Sequence, residues 1–303
     1  MRRLLRSILD GIGNTPLLRV EIEGVELYLK LEMFNPGGSI KDRVALAIVE
    51  DGEKRGELTP EKTVVEATSG NTGIGLALVC AAKGYRCLIA MPENMSEERK
   101  RILRAFGAEL LLTPAEEGVK GAVEKVKELV EKEPERYFPA RQFENPVNPE
   151  VHYRTTAVEI LEQMGALPSL FVAGIGTGGT FTGISRRFKE ENPDCTCVAV
   201  EPEGCAVLSG EKACSHKIQG IGAGFVPQVL DTSLIDRVEK VSYREAKHYT
   251  RLLAREFGVL AGVSSGANVA AALRVARELG VKKRVVTVLP DTGERYLSTD
   301  LFE

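Results

Sequence analysis

The sequence has no tryptophan, and aromatic residues make up only 6% of its 303 positions. So few flat rings offer no platform for stacking nucleobases. It has no run of 18 or more apolar residues, which excludes a membrane-spanning helix. It has no field of one charge. Its 40 basic and 43 acidic residues are interspersed and leave a formal net charge of −3, so the counter-ion release that drives nucleic-acid binding has no source. It has no Cys-x-x-Cys pair. The six cysteines are Cys80, Cys87, Cys195, Cys197, Cys205 and Cys214. Cys195 and Cys197, two apart, point to one face of a strand, with Cys205, Cys214 and His216 soon after. Their spacings match no structural zinc pattern, so no metal is expected and all six are read as reduced thiols. The start is basic and then mildly apolar, but Arg6 and Asp10 interrupt a signal-peptide core, and the cytoplasm is the expected location. What is present is ordinary: 43% hydrophobic and 27% charged residues, in a chain long enough to bury a core without a disulfide or metal staple.

Short β-branched runs alternate with helical patterns. Thr63–Glu66 reads as a strand, residues 75–83 as a buried helix, and Arg86–Met91 as the next strand. Ser96 can cap a helix carrying Ile102, Leu103 and Phe106, which Gly107 ends. Glu109–Leu112 is a strand, and Val123, Val126, Leu129 and Val130 form one helical face. Leu170–Ala173 leads into a glycine-rich turn and a helix. Residues 197–200 and 285–288 are further buried strands, with an alanine-rich helix over 268–278 between them. Such alternation predicts βαβ units, parallel sheets and helices on both faces. Pro139, Pro146 and Pro149 break regular structure over 138–149 and mark a domain seam. Two α/β domains with a ligand cleft between them are expected.

Two turns carry chemistry. Gly176-Thr177-Gly178-Gly179-Thr180 follows a strand and opens a helix. Its glycines let the backbone approach an anion, helix N-terminal N–H groups point at it, and two hydroxyls add donors. It lacks the Gly-Lys-Ser/Thr ending of a nucleotide P-loop and the full dinucleotide fingerprint, and a purely structural turn would look the same locally. Thr68-Ser69-Gly70-Asn71-Thr72-Gly73 is a second turn between a strand and a helix. It is suited to a carboxylate, or simply to capping the helix. Together they fit a phosphorylated cofactor carrying an amino acid. Lys41 lies just inside a helix start after Asn35-Pro-Gly-Gly-Ser. There the positive end of the helix dipole, aided by burial, favours a neutral, nucleophilic amine.

The ordered series of motifs resembles the fold-type II pyridoxal-phosphate enzymes, most closely the cysteine synthases (O-acetylserine sulfhydrylases). It runs through nearly the whole chain: Gly13-Asn-Thr-Pro-Leu17, Lys30-Leu-Glu32, Asn35 to Arg43, Thr68 to Leu76, Gln142-Phe-Glu-Asn-Pro146, Gly176 to Thr180, Gln219 to Pro227, Ser264-Ser-Gly-Ala267 and Gly293 to Thr299. Two departures are Ala67, where the family often has proline, and Asp291-Thr292, where the synthases often have a serine pair. Asp291 puts in question how neutral the surroundings of the cofactor's pyridine nitrogen are.

The resemblance implies an α/β fold of two three-layer αβα domains with mostly parallel sheets and an active site in the interdomain cleft. A smaller, mobile, carboxylate-binding domain would span 36–145, and a larger, phosphate-binding one 1–35 and 146–303. Lys41 would hold pyridoxal 5'-phosphate covalently and act as the catalytic base. Asn71 would bond the ring hydroxyl, Gly176, Thr177, Gly178, Gly179 and Thr180 the phosphate, and Ser264 would face the ring nitrogen. Thr68, Ser69, Gly70, Thr72, Gln142 and Gly220 would bind substrate. The implied reaction is β-replacement, turning O-acetyl-L-serine and sulfide into L-cysteine and acetate through an α-aminoacrylate. The alternatives on this scaffold are an O-phosphoserine donor, which would need a cation such as Lys217 or His216, or a cystathionine β-synthase-type reaction. A homodimer is implied, and a complex with serine acetyltransferase is compatible with the resemblance.

Overall fold

The structure, a computed structural model, describes residues 4–68 and 70–303. Ten strands form in chain order: β1 (Leu17–Ile22), β2 (Val25–Leu31), β3 (Thr63–Ala67), β4 (Arg86–Pro92), β5 (Glu109–Thr113), β6 (Tyr137–Pro139), β7 (Leu170–Gly174), β8 (Thr196–Pro202), β9 (Arg237–Val241) and β10 (Val285–Leu289). The α-helices are α1 (Lys41–Lys54), α2 (Asn71–Lys83), α3 (Glu97–Ala105), α4 (Gly118–Lys132), α5 (Val147–Val151), α6 (Ala157–Met164), α7 (Gly179–Glu191), α8 (Tyr243–Phe257) and α9 (Val263–Glu278). The chain divides into two units, one of Met1–Ile12 with Asn35–Val147, the other of Gly13–Phe34 with Asn148–Glu303. The sequence reading grouped residues 1–12 with the larger domain; here that segment goes with the smaller unit.

The first unit is built on a four-stranded parallel sheet in the order β5-β4-β3-β6. Every residue of β3 is buried, as expected of a parallel strand covered on both faces. Val65, Ala67, Ala90 and Tyr137 pack against Ala122 and Val126 of α4. Val123, expected on that face, is instead 45% exposed. The buried stripe runs through 122 and 126, and residue 123 lies about 100° around the helix from 122, at the edge of that face. Ser96 caps α3 by accepting from the Arg99 N–H, and Gly107 follows its end with φ +81°. Pro139, expected to break structure, ends β6, whose neighbours pair in parallel with β3. Pro149 lies in the first turn of α5, where a missing N–H costs nothing.

The second unit holds a six-stranded sheet in the order β1-β2-β10-β7-β8-β9. All pairs are parallel except the β1–β2 hairpin, which the sequence reading did not identify as strands. Glu23 and Gly24 make its two-residue turn with φ +53° and +77°, the twist that suits a tight hairpin. Helix α9 packs against the sheet and α8 against α9. Valines 269 and 275, Leu273 and the run Ala270–Ala272 fill the core they share. On β7, Phe171 meets Phe181 and Phe188 of α7 at ring separations of 6.1 and 5.4 Å. Among the described residues no helix is long and apolar enough to cross a membrane.

Candidate active site

In the first unit Lys41 is the first residue of α1 and is half-buried. Its backbone N–H donates to Ser39 Oγ at 3.2 Å. The turn before it is closed by Asp42, whose Oδ2 accepts from the Gly37 N–H at 2.6 Å. A Cβ on Gly37 would strike that carboxylate. Helix α2 lies beside this start, because a Cβ on Gly75 would sit 3.0 Å from the Lys41 carbonyl oxygen. Gly75 is one turn along from Asn71, so the Lys41 end of α1 packs on the first turns of the helix that Asn71 opens.

The turn into α2 is the candidate carboxylate cradle. Its N-cap is Gly70, which supplies no side-chain cap. Thr68 Oγ1 accepts from the Gly70 N–H at 3.1 Å. The Thr72 hydroxyl donates to Gln142 Oε1 at 2.5 Å across 70 residues of sequence. Thr68, Thr72 and Gln142 are all buried. The fold therefore gathers Thr68, Gly70, Thr72 and Gln142 at one end of β3. Ser69, also expected there, lies outside the described residues.

A residue that the sequence reading passed over organises this cluster. Glu66, the penultimate residue of β3, is 7% exposed. Its Oε2 accepts from the Gln142 N–H at 3.2 Å and its Oε1 from the Ala67 N–H at 3.1 Å. Burial pushes its carboxyl up to about 7, against the backbone N–H groups of Gln142, Ala67 and Arg141, which favour the ionised form. Arg141 takes φ +53°, an unfavourable conformation for a side chain with a Cβ, so the turn that presents Gln142 depends on these tethers.

In the second unit β7 runs into the turn Gly176–Thr180 and then α7, whose N-cap Gly178 has φ +85°. A Cβ on Gly176 would collide with the Gly220 carbonyl oxygen, on Gly178 with Leu230, and on Gly179 with the Asn148 amide. Only glycine fits at these positions, which place the turn at the N-terminus of α7. This is the arrangement that a phosphate ester requires. The buried Thr177 Oγ1 accepts from Asn148 Nδ2 at 3.0 Å, and the Thr180 hydroxyl lies 3.3 Å from His152 Nε2. Asn148, His152 and Thr156 are fully buried. They recur every four residues through the π-helical stretch 152–156. That polar stripe was the signal available in the sequence for the side chains that steady the turn.

Gly220 adjoins the same turn through its carbonyl oxygen, and a Cβ on it would sit 3.7 Å from Ser264 Oγ. Ser264 is buried in the first turn of α9. Gly220, Ser264 and Gly176–Thr180 are thus brought together in one unit. The departure at Asp291 is accommodated locally. Its Oδ2 accepts from the Tyr296 hydroxyl at 2.7 Å, and its main-chain oxygen from the Gly262 N–H at 3.0 Å. A carboxylate beside Gly262, the N-cap of α9, is favoured by the helix dipole. Neither proposed phosphoserine cation is positioned as an isolated charge. Lys217 is exposed, 3.9 Å from Asp300 and over the Tyr243 ring. His216 Nε2 is 3.0 Å from the Gly222 carbonyl oxygen.

The expectation of six reduced cysteines is overturned. Cys205 and Cys214 are joined, with Cα atoms 5.2 Å apart, inside the range a disulfide needs. The short 3-10 turn Val207–Ser209, closed by Gly210 at φ +82°, folds the chain back to bring them together. Cys80, Cys87, Cys195 and Cys197 are free and buried. Hydrogen bonding to Cys80 and Cys197 respectively, and then burial, raise the thiols of Cys87 and Cys195.

A sequence model of the family described as pyridoxal-phosphate dependent enzyme matches residues 8–291. A cysteine synthase of Staphylococcus aureus (strain Mu50 / ATCC 700699) is 53% identical over 301 residues, covering 98% of this chain and 96% of the relative. The crystal structure of cysteine synthase from Entamoeba histolytica superposes with a TM-score of 0.95 at 40% identity, covering 99% of this chain and 91% of the other. That of an O-acetylserine dependent cystathionine beta-synthase from Helicobacter pylori gives 0.93 at 41%, covering each chain completely.

Proposed function

The chain belongs to the pyridoxal-phosphate dependent enzyme family, and from that membership we propose that it makes L-cysteine and acetate from O-acetyl-L-serine and sulfide by β-replacement. Pyridoxal 5'-phosphate, when bound, supplies an electron sink for bond cleavage at Cα and Cβ of an amino acid. The observation that carries the reading is the glycine-only turn Gly176–Thr180 at the start of α7, which suits the cofactor phosphate. In this reading Thr177 and Thr180 add hydroxyl donors, Ser264 faces the ring nitrogen without charging it, and Asn71 bonds the ring hydroxyl. Lys41 anchors the cofactor, and its Nζ takes the proton from substrate Cα and returns one after sulfide adds. Thr68, Ser69, Gly70, Thr72, Gln142 and Gly220 bind substrate, with Thr68, Ser69, Thr72 and Gln142 on its carboxylate. The unit containing β3–β6 then serves as the smaller, mobile, carboxylate-binding domain and the other as the phosphate-binding domain.

O-Acetylserine is favoured over O-phosphoserine because Lys217 is already paired with Asp300 and the His216 ring is engaged by Gly222. The structural likeness to an O-acetylserine dependent cystathionine beta-synthase keeps a carbon thiol as second substrate a reading to test. A homodimer, a complex with serine acetyltransferase and a cytoplasmic location complete the proposal. The test is optical and catalytic. The purified protein should absorb in the visible, and Lys41→Ala should lose both that band and cysteine formation. Retention of the same band in Lys41→Ala would refute the anchoring role. Faster turnover of O-phosphoserine than of O-acetylserine would refute the donor, and homocysteine outcompeting sulfide would refute the acceptor.

A further inference from the structure

We propose that the Cys205–Cys214 disulfide is a thiol-exchange site that clamps the loop Gly220–Gly224, and that hydrosulfide or another small thiolate opens it at the exposed Cys214 sulfur. The clamp can be followed contact by contact within the second unit. Cys205 follows the end of β8 and is 3% exposed, whereas Cys214 is exposed. Two residues on, the His216 ring meets the Gly222 carbonyl oxygen at 3.0 Å. A Cβ on Gly222 would strike both that ring and Pro202 of β8. The Gly222 N–H donates to the Ile175 carbonyl oxygen at 2.8 Å, just before the phosphate turn. The Gly220 carbonyl lies against Gly176 of that turn, and Gly224 packs on Ala213. Gly220, Gly222 and Gly224 have φ of +96°, +70° and +83°. Glycines leave such a loop many alternative conformations, and fixing its approach segment at residue 214 removes some of them.

The asymmetry of the pair sets the chemistry. Exchange proceeds by attack of a thiolate on a disulfide sulfur, and access decides which sulfur is attacked. Hydrosulfide forms a bond to Cys214 Sγ as the Sγ–Sγ bond breaks. Cys214 becomes a persulfide, and the electron pair leaves on Cys205, which takes a proton from solvent. A second thiolate bonds to the outer sulfur and carries it away as its own persulfide, while Cys214 leaves as a thiolate and is protonated, giving two thiols. The identity of hydrosulfide as the attacking group rests on the proposed reaction, in which it is a substrate; the clamp itself does not.

The experiment starts from air-purified holoenzyme. Alkylation after rapid denaturation should label the four cysteines that are free in the structure, and all six after a dithiol. Brief treatment of the native enzyme with sodium hydrosulfide should place a persulfide on Cys214, located by peptide mass spectrometry. Opening the clamp should raise the KM for O-acetylserine on the order of threefold to tenfold with kcat within about twofold, the pattern of lost pre-organisation. Cys205→Ser with Cys214→Ser should match the reduced enzyme and no longer respond to oxidant. Six labelled cysteines before any reductant, or an unchanged KM on reduction of the wild type, would overturn the proposal; neither reading needs the variant to fold. Persulfide on Cys214 in a protein that makes no cysteine would support the exchange site while removing the proposed reaction. Normal cysteine formation with six free thiols would do the reverse.

Discussion

Glu66 gives a perturbation whose sign and size follow from the structure. Its carboxyl is buried in the first unit and pushed from 4.5 to about 7 by loss of solvation. In the unfolded chain it titrates near its ordinary value. Between about pH 4.5 and 7 the folded state therefore binds more protons than the unfolded state, and stability falls as pH rises through this window. A shift of about 2.5 units at about 1.4 kcal/mol per unit corresponds to roughly 3.5 kcal/mol, fully present below pH 4.5 and lost by pH 7. Glu66→Gln has no such titration. It keeps one acceptor but turns a donor toward a backbone N–H, at a pH-independent cost of about 1–3 kcal/mol. The advantage of wild type over variant should thus shrink by about 2.5 kcal/mol from pH 5 to pH 8, the first part of the loss lying below pH 5. Urea unfolding of both holoproteins across that range measures it, and hydrogen exchange at the Val64 and Val65 amides of β3 reads the same quantity locally. Parallel stability curves, within about 0.5 kcal/mol over the whole range, would refute the reasoning. They would mean that Glu66 is ionised throughout and held by its backbone donors.

Two further outcomes are expected. Lys30 is fully buried and bonds Glu159 Oε2 at 2.7 Å, Thr15 O at 2.7 Å and Gln163 Oε1 at 2.9 Å. Lys30→Met strands the Glu159 carboxylate and should cost about 3–5 kcal/mol, or roughly 10 °C in Tm by calorimetry; a drop under about 3 °C would mean that the ion pair contributes little. Gly179→Ala drives a methyl into the Asn148 amide and should weaken cofactor binding on the order of tenfold to a hundredfold in equilibrium reconstitution, with little change in far-UV circular dichroism.

Much of the fold was legible because its signals are local. The buried strands β7 and β10 read as near-continuous apolar runs, as parallel strands covered on both faces do. Ser96 announced the start of α3 by its side-chain oxygen, and Gly107 its end by its tolerance of positive φ. Less was legible where amphipathic segments lacked punctuation. The Glu23-Gly24 hairpin does not carry the strongest turn dipeptides, and β1 is only partly buried. The capping box that opens α8, Ser242 with Glu245, is a local signal of the same kind as Ser96.

By itself, then, the sequence determined the alternation of strands and helices, the two glycine turns that must start helices, and the order of motifs that marks the family. Each depends on what a few neighbouring residues permit their own backbone to do. Only the tertiary structure decided that Gln142 returns to Thr72 and Glu66, that Asn148 and His152 support Gly179 and Thr180, and that Cys205 meets Cys214. These partners come from segments with no local preference for one another. They are joined because packing both faces of a parallel sheet fixes where each crossover returns, and the energies that hold them, burial above all, exist only once that sheet has closed.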